Sequence, residues 1–249
     1  MKNQKVAIKI GDFLYKHCFA LYKEIYPIMK QRQDAEEIKL MRASISSGDT
    51  VLDIGANIGF YSRLFGQWTG EQGRVYAFEP DEENFVHLKK QVGKMPNVIL
   101  KQVAVSDKTD MVTLYKSPML NVDHRTYPID DYISKTTVES IAIDDFLPPD
   151  TRVSFIKMDI QGFEAIALQG MKQTLIHNVE HLKMLMELFP AGLKKSGSSA
   201  VDTLTFLNQC GYSIYLIEKN KLTLLDMDAV AKMNDLSDEF YFNVFIKNN

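Results

Sequence analysis

Asp53, Gly55, Asn57 and Gly59 stand together in Val51-Leu52-Asp53-Ile54-Gly55-Ala56-Asn57-Ile58-Gly59, and Glu79 follows 20 residues beyond Gly59 in Val75-Tyr76-Ala77-Phe78-Glu79-Pro80. Each acid closes a short apolar run. A carboxylate at the head of a glycine turn attracts a cationic group and repels phosphate. A second carboxylate at the end of the next strand can accept both hydroxyls of a ribose. Together they specify a nucleoside-bearing cofactor.

The spacing narrows the choice. A dinucleotide fingerprint, G-x-G-x-x-G, requires glycine where this chain has Asn57, and no Walker lysine follows the loop. Asp53 suits an ammonium or sulfonium group instead. S-adenosylmethionine (SAM) carries both, with a ribose for Glu79, and is the cofactor this pattern predicts. A nicotinamide cofactor is disfavoured by Asn57.

Such a loop needs a strand before it and a helix after it. The pattern predicts strand Val51–Ile54, helix Phe60–Trp68, strand Arg74–Phe78, helix Asp81–Val92 and strand Val98–Val105. Asp81 is a good N-cap, and Glu82 and Glu83 suit the helix dipole. Residues 110–143 break the alternation with extended stretches at Met111–Tyr115 and Thr137–Ile143 around a polar loop. It resumes with strand Val153–Met158, helix Phe163–Ile176, strand Leu182–Leu188, helix Val201–Cys210, strand Tyr212–Ile217 and a last extended run, Phe240–Ile246. This alternation implies an α/β fold with a mostly parallel sheet, helices on both faces and an antiparallel strand at one edge. Ligands in such sheets bind beyond the carboxyl ends of the strands, where Asp53, Glu79, Ala104, Asp159 and Glu187 fall. Ahead of the sheet, residues 1–46 read as an aromatic-rich helical cap on a catalytic unit spanning 47–249, with Pro27 ending or kinking the first helix.

Composition excludes several classes. The 249 residues are 45% hydrophobic and 24% charged, with a net charge of -3, which gives no basic footprint for nucleic acid. Cys18 and Cys210 have no metal-type spacing, and no signal peptide or membrane-length apolar run is present, so a cytoplasmic protein is expected.

These motifs resemble the FkbM-type family of SAM-dependent methyltransferases. The matching pieces are Thr50–Ser62, Val75–Pro80, Ala104-Val105-Ser106-Asp107, Ile156-Lys157-Met158-Asp159-Ile160-Gln161-Gly162-Phe163-Glu164 and Met186-Glu187. The resemblance runs from about Ile38 to the C-terminus. It implies a seven-stranded Rossmann-like class I methyltransferase sheet and methyl transfer to a hydroxyl oxygen of a sugar or secondary metabolite. One departure is Gln161, where the family usually has glutamate. The alternatives are N- or C-methylation with the same cofactor site, or a noncatalytic SAM-binding subunit.

By this resemblance Asp53, Gly55, Asn57 and Gly59 surround the methionine part of SAM, and Glu79 binds the ribose. Ala104 and Val105 flank the adenine, and Asp107 contacts its amino group. Asp159 lies beside the reacting methyl group, with Lys157 two residues earlier on the same face of the strand as its partner. His124 is the expected base, oriented by Asp123, and Arg125 is an expected acceptor contact. Asp159 and Glu187 end neighbouring strands, but without an Asp-Asn pair, and with Gln161 in place of a carboxylate, no metal is expected. Partners are a small-molecule or saccharide acceptor, with neither nucleic acid nor membrane; the aromatic N-terminal helices could form a homodimer surface.

Overall fold

The computed structural model describes residues 15, 18–116, 125–127, 132–218, 221–233 and 240–249. The described elements begin with α1 (Phe19–Gln33), α2 (Ala35–Ser44), β1 (Thr50–Ile54), α3 (Phe60–Thr69), β2 (Arg74–Phe78), α4 (Glu82–Val92) and β3 (Val98–Lys101). Next come β4 (Ala104–Val105), β5 (Asp110–Lys116), β6 (Ser134–Ile141), α5 (Ile143–Phe146) and β7 (Phe155–Met158). The remainder is α6 (Glu164–Gln169), α7 (Lys172–His177), β8 (Lys183–Leu188), α8 (Pro190–Lys195), α9 (Ala200–Gln209), β9 (Ser213–Glu218), β10 (Lys221–Leu224), α10 (Met227–Met233) and β11 (Phe242–Lys247).

Eight strands form the main sheet in the order β10-β9-β11-β8-β7-β1-β2-β3. The run from β3 to β8 is parallel, and β11 inserts antiparallel between β8 and β9. The seven strands expected from the motifs are present, but the antiparallel last strand is not at an edge as expected: β11 pairs with both β8 and β9, and an added strand, β10, folds back on β9 as the edge. Strand order reverses at β1, so β1, β2 and β7 deliver their carboxyl ends to one crevice.

Alternation along the central strands places the site. Leu52, Ile54, Ile156 and Met158 are buried in the core on one face. Val51 and Phe155 face the other way, into a core with Met41 of α2 and Phe60, Tyr61 and Phe65 of α3. Asp53 and Lys157 share this second face by the two-residue period and are register partners across β1 and β7. On the α1–α3 side, then, the apolar core gives way at the carboxyl ends to ionisable groups.

Three expected elements differ. The run Val98–Val105 divides, because Ala104 and Val105 leave the main sheet and pair with β6 in a three-stranded sheet, β4-β6-β5. The helix expected over Phe163–Ile176 breaks into α6 and α7 at Gly170, whose Cα packs so tightly on the Ser106 carbonyl that an added Cβ would lie 1.9 Å from it. The helix around Pro27 does not end there: α1 continues to Gln33. Tyr26 packs edge-on against Phe60 and stacks with Tyr22, which holds the helix where the proline removes a backbone donor.

Candidate active site

The turn after β1 is fixed by its neighbours. Gly55 and Ala56 donate their N–H groups to the Phe78 carbonyl of β2, at 3.1 and 2.9 Å. Asn57 and Gly59 take positive φ, +50° and +90°, and Gly59 caps the start of α3. The missing side chain of Gly59 makes room for Leu88 of α4, whose Cδ1 would be 2.8 Å from a Cβ. These glycines therefore permit close packing of protein on protein.

Glu79 is buried at the end of β2. One of its oxygens accepts from the Asn57 N–H at 2.8 Å and the other from the Asp81 N–H at 3.0 Å. Burial pushes its carboxyl up to about 7, and those two donors oppose the rise. Each carboxylate oxygen can accept twice, so capacity remains for ligand hydroxyls. Asp81 caps α4 through the Glu83 and Asn84 N–H groups and pairs with Lys116 of β5 at 2.5 Å. Tyr15, ahead of α1, donates its hydroxyl to Asn84 at 3.0 Å and so reaches the same end of the site.

Asp53 is fully buried. Its Oδ2 accepts from the Ser62 hydroxyl of α3 at 2.5 Å, while its Oδ1 has no partner among the described residues. Burial raises its pKa, against the pull of Lys157 and Ser62. Lys157, itself buried, sits 3.5 Å from Asp159 Oδ2 and 4.8 Å from the centre of the Tyr61 ring. The pairing expected for a lysine inside a parallel strand is present.

Asp159 and Glu187 are held together by Gln161, whose Nε2 donates to Asp159 Oδ1 and to Glu187 Oε2, both at 2.9 Å. Gln161 has φ +55°, a conformation rare outside glycine, and Glu164 braces its loop by accepting from the Ile160 and Gly162 N–H groups. Burial is the larger influence on both acids. It lifts Glu187 well above the usual range, and the Asp159 charge adds to that rise. In Asp159 burial is outweighed by Lys157, then Lys30, and by hydrogen bonds from Glu187 and Gln161, so its carboxyl is held low. Beside this pair opens a small, solvent-open cleft lined by Lys30, Glu37, Tyr61, Lys157 and Asn243 among others.

The remaining candidates are scattered. Ala104 and Val105 are buried, and the exposed Asp107 accepts from the Ser106 hydroxyl at 3.0 Å. His124 lies outside the described residues. Arg125 pairs its backbone with Tyr115, and its guanidinium lies 5.0 Å from the ring of Phe189, which directly follows β8. Sequence reasoning missed Lys30, Glu37 and Asn243. Lys30 sat in an aromatic helix ahead of every motif, and Asn243 becomes visible only once β11 is paired with β8 opposite Glu187.

A SAM-like ligand fits these residues. Asp53 offers a buried acceptor without a partner, suited to an ammonium, and Glu79 retains acceptor capacity for hydroxyls. The strand order and these carboxylates define a Rossmann-like methyltransferase. The comparisons agree: residues 53–214 match the methyltransferase FkbM domain, so the chain belongs to the FkbM methyltransferase family, whose cofactor is SAM. Hexuronic acid methyltransferase AglP of Haloferax volcanii is 24% identical over 61% of this chain and 62% of its own length. The 2-O-methyltransferase NoeI of Sinorhizobium fredii is 24% identical over 58% of this chain and 68% of its own. The chain thus spans a little under two thirds of AglP. An rRNA methylase of Streptococcus thermophilus shares the fold at TM-score 0.50 and 10% identity, covering 85% of this chain and 93% of that one. No described helix is long and apolar enough to cross a membrane.

Proposed function

We propose that the protein transfers the methyl group of SAM to a hydroxyl oxygen of a saccharide-like small molecule. The observation that carries this reading is the polar cleft at the carboxyl ends of β7 and β8, lined by acids and Asn243 and adjoining the glycine turn. Carboxylates and an amide are good partners for a polyol. The name of AglP supports a saccharide acceptor and that of NoeI an oxygen as the methylated atom.

In this reading Asp53 holds the ammonium of the methionine part, within the turn made by Gly55, Asn57 and Gly59. Glu79 takes the ribose hydroxyls; Ala104, Val105 and Asp107 border the adenine. Bound SAM supplies an electrophilic methyl on a positive sulfur. Asp159, steadied by Lys157, orients the acceptor oxygen in line with that methyl, and alignment of this kind is worth about 7–11 kcal/mol. Arg125, whose guanidinium lies against the ring of Phe189 just after β8, is an acceptor contact in this reading. Residues 1–46 act as a cap over the catalytic unit 47–249, and the cytoplasm is the compartment this reading implies.

Incubating the protein with methyl-labelled SAM and a panel of neutral glycosides, uronosides and polyols tests the proposal. Mass spectrometry and linkage mapping should find a methyl ether. Label recovered as a methyl ester or on nitrogen would contradict it.

A further inference from the structure

The Asp159–Glu187 pair has features that holding an acceptor does not require. Its acids share the single Gln161 amide, each at 2.9 Å, which a backbone at φ +55° puts in place. The glutamate usual for the family at this position would have added a third carboxylate; Gln161 instead offers a donor to both.

The surrounding charges decide how many protons the pair keeps. Two cations face it: Lys157 from β7 and Lys30 from α1. Lys30 is already paired with Asp34 at 2.7 Å, and Asp34 also accepts from the Tyr61 hydroxyl of α3. Glu37 of α2 accepts from Asn243 at 3.2 Å on the same cleft wall. Asp53 from β1 and Glu164 from α6 add acids within electrostatic reach of Asp159. The phenols of Tyr26, Tyr61 and Tyr241 complete the shell and stay protonated, because burial raises all three. With Glu187 ionised, Asp34, Glu37, Asp159 and Glu187 would face two ammonium groups among the described residues, Lys30 and Lys157. The empty site therefore favours a proton on the pair, and an arriving cation removes the reason to keep it.

We propose that Asp159 and Glu187 hold one proton between them in the free site, release it when the cationic cofactor binds, and recover one from the acceptor hydroxyl during methyl transfer. This rests on the methyltransferase reading above. In the transfer step the O–CH3 bond forms and the S–CH3 bond breaks, leaving its electron pair on sulfur. The acceptor O–H proton passes to Glu187. One positive charge disappears at sulfur as one negative charge disappears at the pair, so the net charge of the cleft is unchanged. Glu187 becomes a strong proton acceptor only while the positive sulfur is beside it, and it regains its proton when that charge is gone. The same balance makes the pair a discriminator: SAM carries the extra charge and S-adenosylhomocysteine lacks it.

Calorimetric titration of both ligands into the full chain, in buffers of different ionisation enthalpy, tests this without knowledge of the acceptor. SAM binding should release up to about one proton more than S-adenosylhomocysteine binding, and the ratio of SAM affinity to S-adenosylhomocysteine affinity should rise up to about tenfold per pH unit below the Glu187 pKa. Glu187→Gln should abolish the difference while still binding both ligands. Equal proton release by the two ligands on the unaltered protein would overturn the inference and leave the methyltransferase reading intact. Failure of both ligands to bind would sink that reading and the inference with it.

Discussion

The backbone carbonyl of Asp159 occupies the place where a side chain on Gly55 would begin: a Cβ there would lie 2.0 Å from that oxygen. The glycine turn after β1 and the acid at the end of β7 are thus locked together by backbone. Gly55 also has φ +83°, which a non-glycine residue adopts at a cost of about 1–2 kcal/mol. Gly55→Ala should destabilise the protein by about 3 kcal/mol or more, lowering Tm by roughly 6–12 °C. A thermal melt within a degree or two of the parent would contradict the packing described.

Among the described residues Ser62 supplies the hydrogen bonds to the buried Asp53 carboxyl, from its hydroxyl and its backbone N–H. Ser62→Ala removes the hydroxyl and leaves the carboxyl only the backbone N–H of residue 62, at a cost of about 1–3 kcal/mol. Asp53 should also become harder to ionise, so SAM affinity should fall, most strongly at acidic pH. Denaturant melts and binding measured on the same variant check both effects; unchanged affinity would remove Asp53 from the cofactor site.

The ligand-free protein should lose stability as pH rises from about 4.5 to about 7. Glu79 and Glu164 are both pushed by burial from the ordinary 4.5 to about 7. A carboxyl with a raised folded pKa binds more protons folded than unfolded between those values, so its contribution falls across that window. Asp159, held low, contributes above the ordinary carboxylate range and loses that only in acid. His87 and His181, lowered by burial, act in the opposite direction but are only partly buried. Glu164→Gln should flatten the fall in Tm. A parent slope that the variant reproduces unchanged would contradict the burial of a titrating Glu164.

Lys30 lies on a helix that precedes the family-matched region, yet it borders the cleft and favours ionised Glu187. Replacing it with methionine should move the pH at which SAM affinity levels off upward. An unmoved profile would mean that α1 has no electrostatic part in the site.

The sequence was most informative where function coincides with a strand end. Asp53, Glu79 and Asp159 terminate apolar runs, so alternation and spacing alone bring them to one crevice. Asp81 as the cap of α4 was legible for the same local reason, its side chain answering two backbone donors within its own helix start. Lys30 was not legible, because its neighbours in the chain form an aromatic stripe and its partners are Asp34, Tyr61 and the β7 end. Gln161 read only as a missing charge; its role as a bridge depends on Glu187, 26 residues away on the next strand. The break at Gly170 was hidden because its cause is the Ser106 carbonyl on another segment.

In the proposed function Asp53 and Glu79 together form the SAM site. Titrating SAM and NAD separately into the protein and into Glu79→Ala tests it most directly. The account predicts a SAM dissociation constant near micromolar, about -8 kcal/mol, weakened at least about tenfold in Glu79→Ala, with NAD binding weaker or absent. No SAM binding, or tighter binding of NAD, would contradict it.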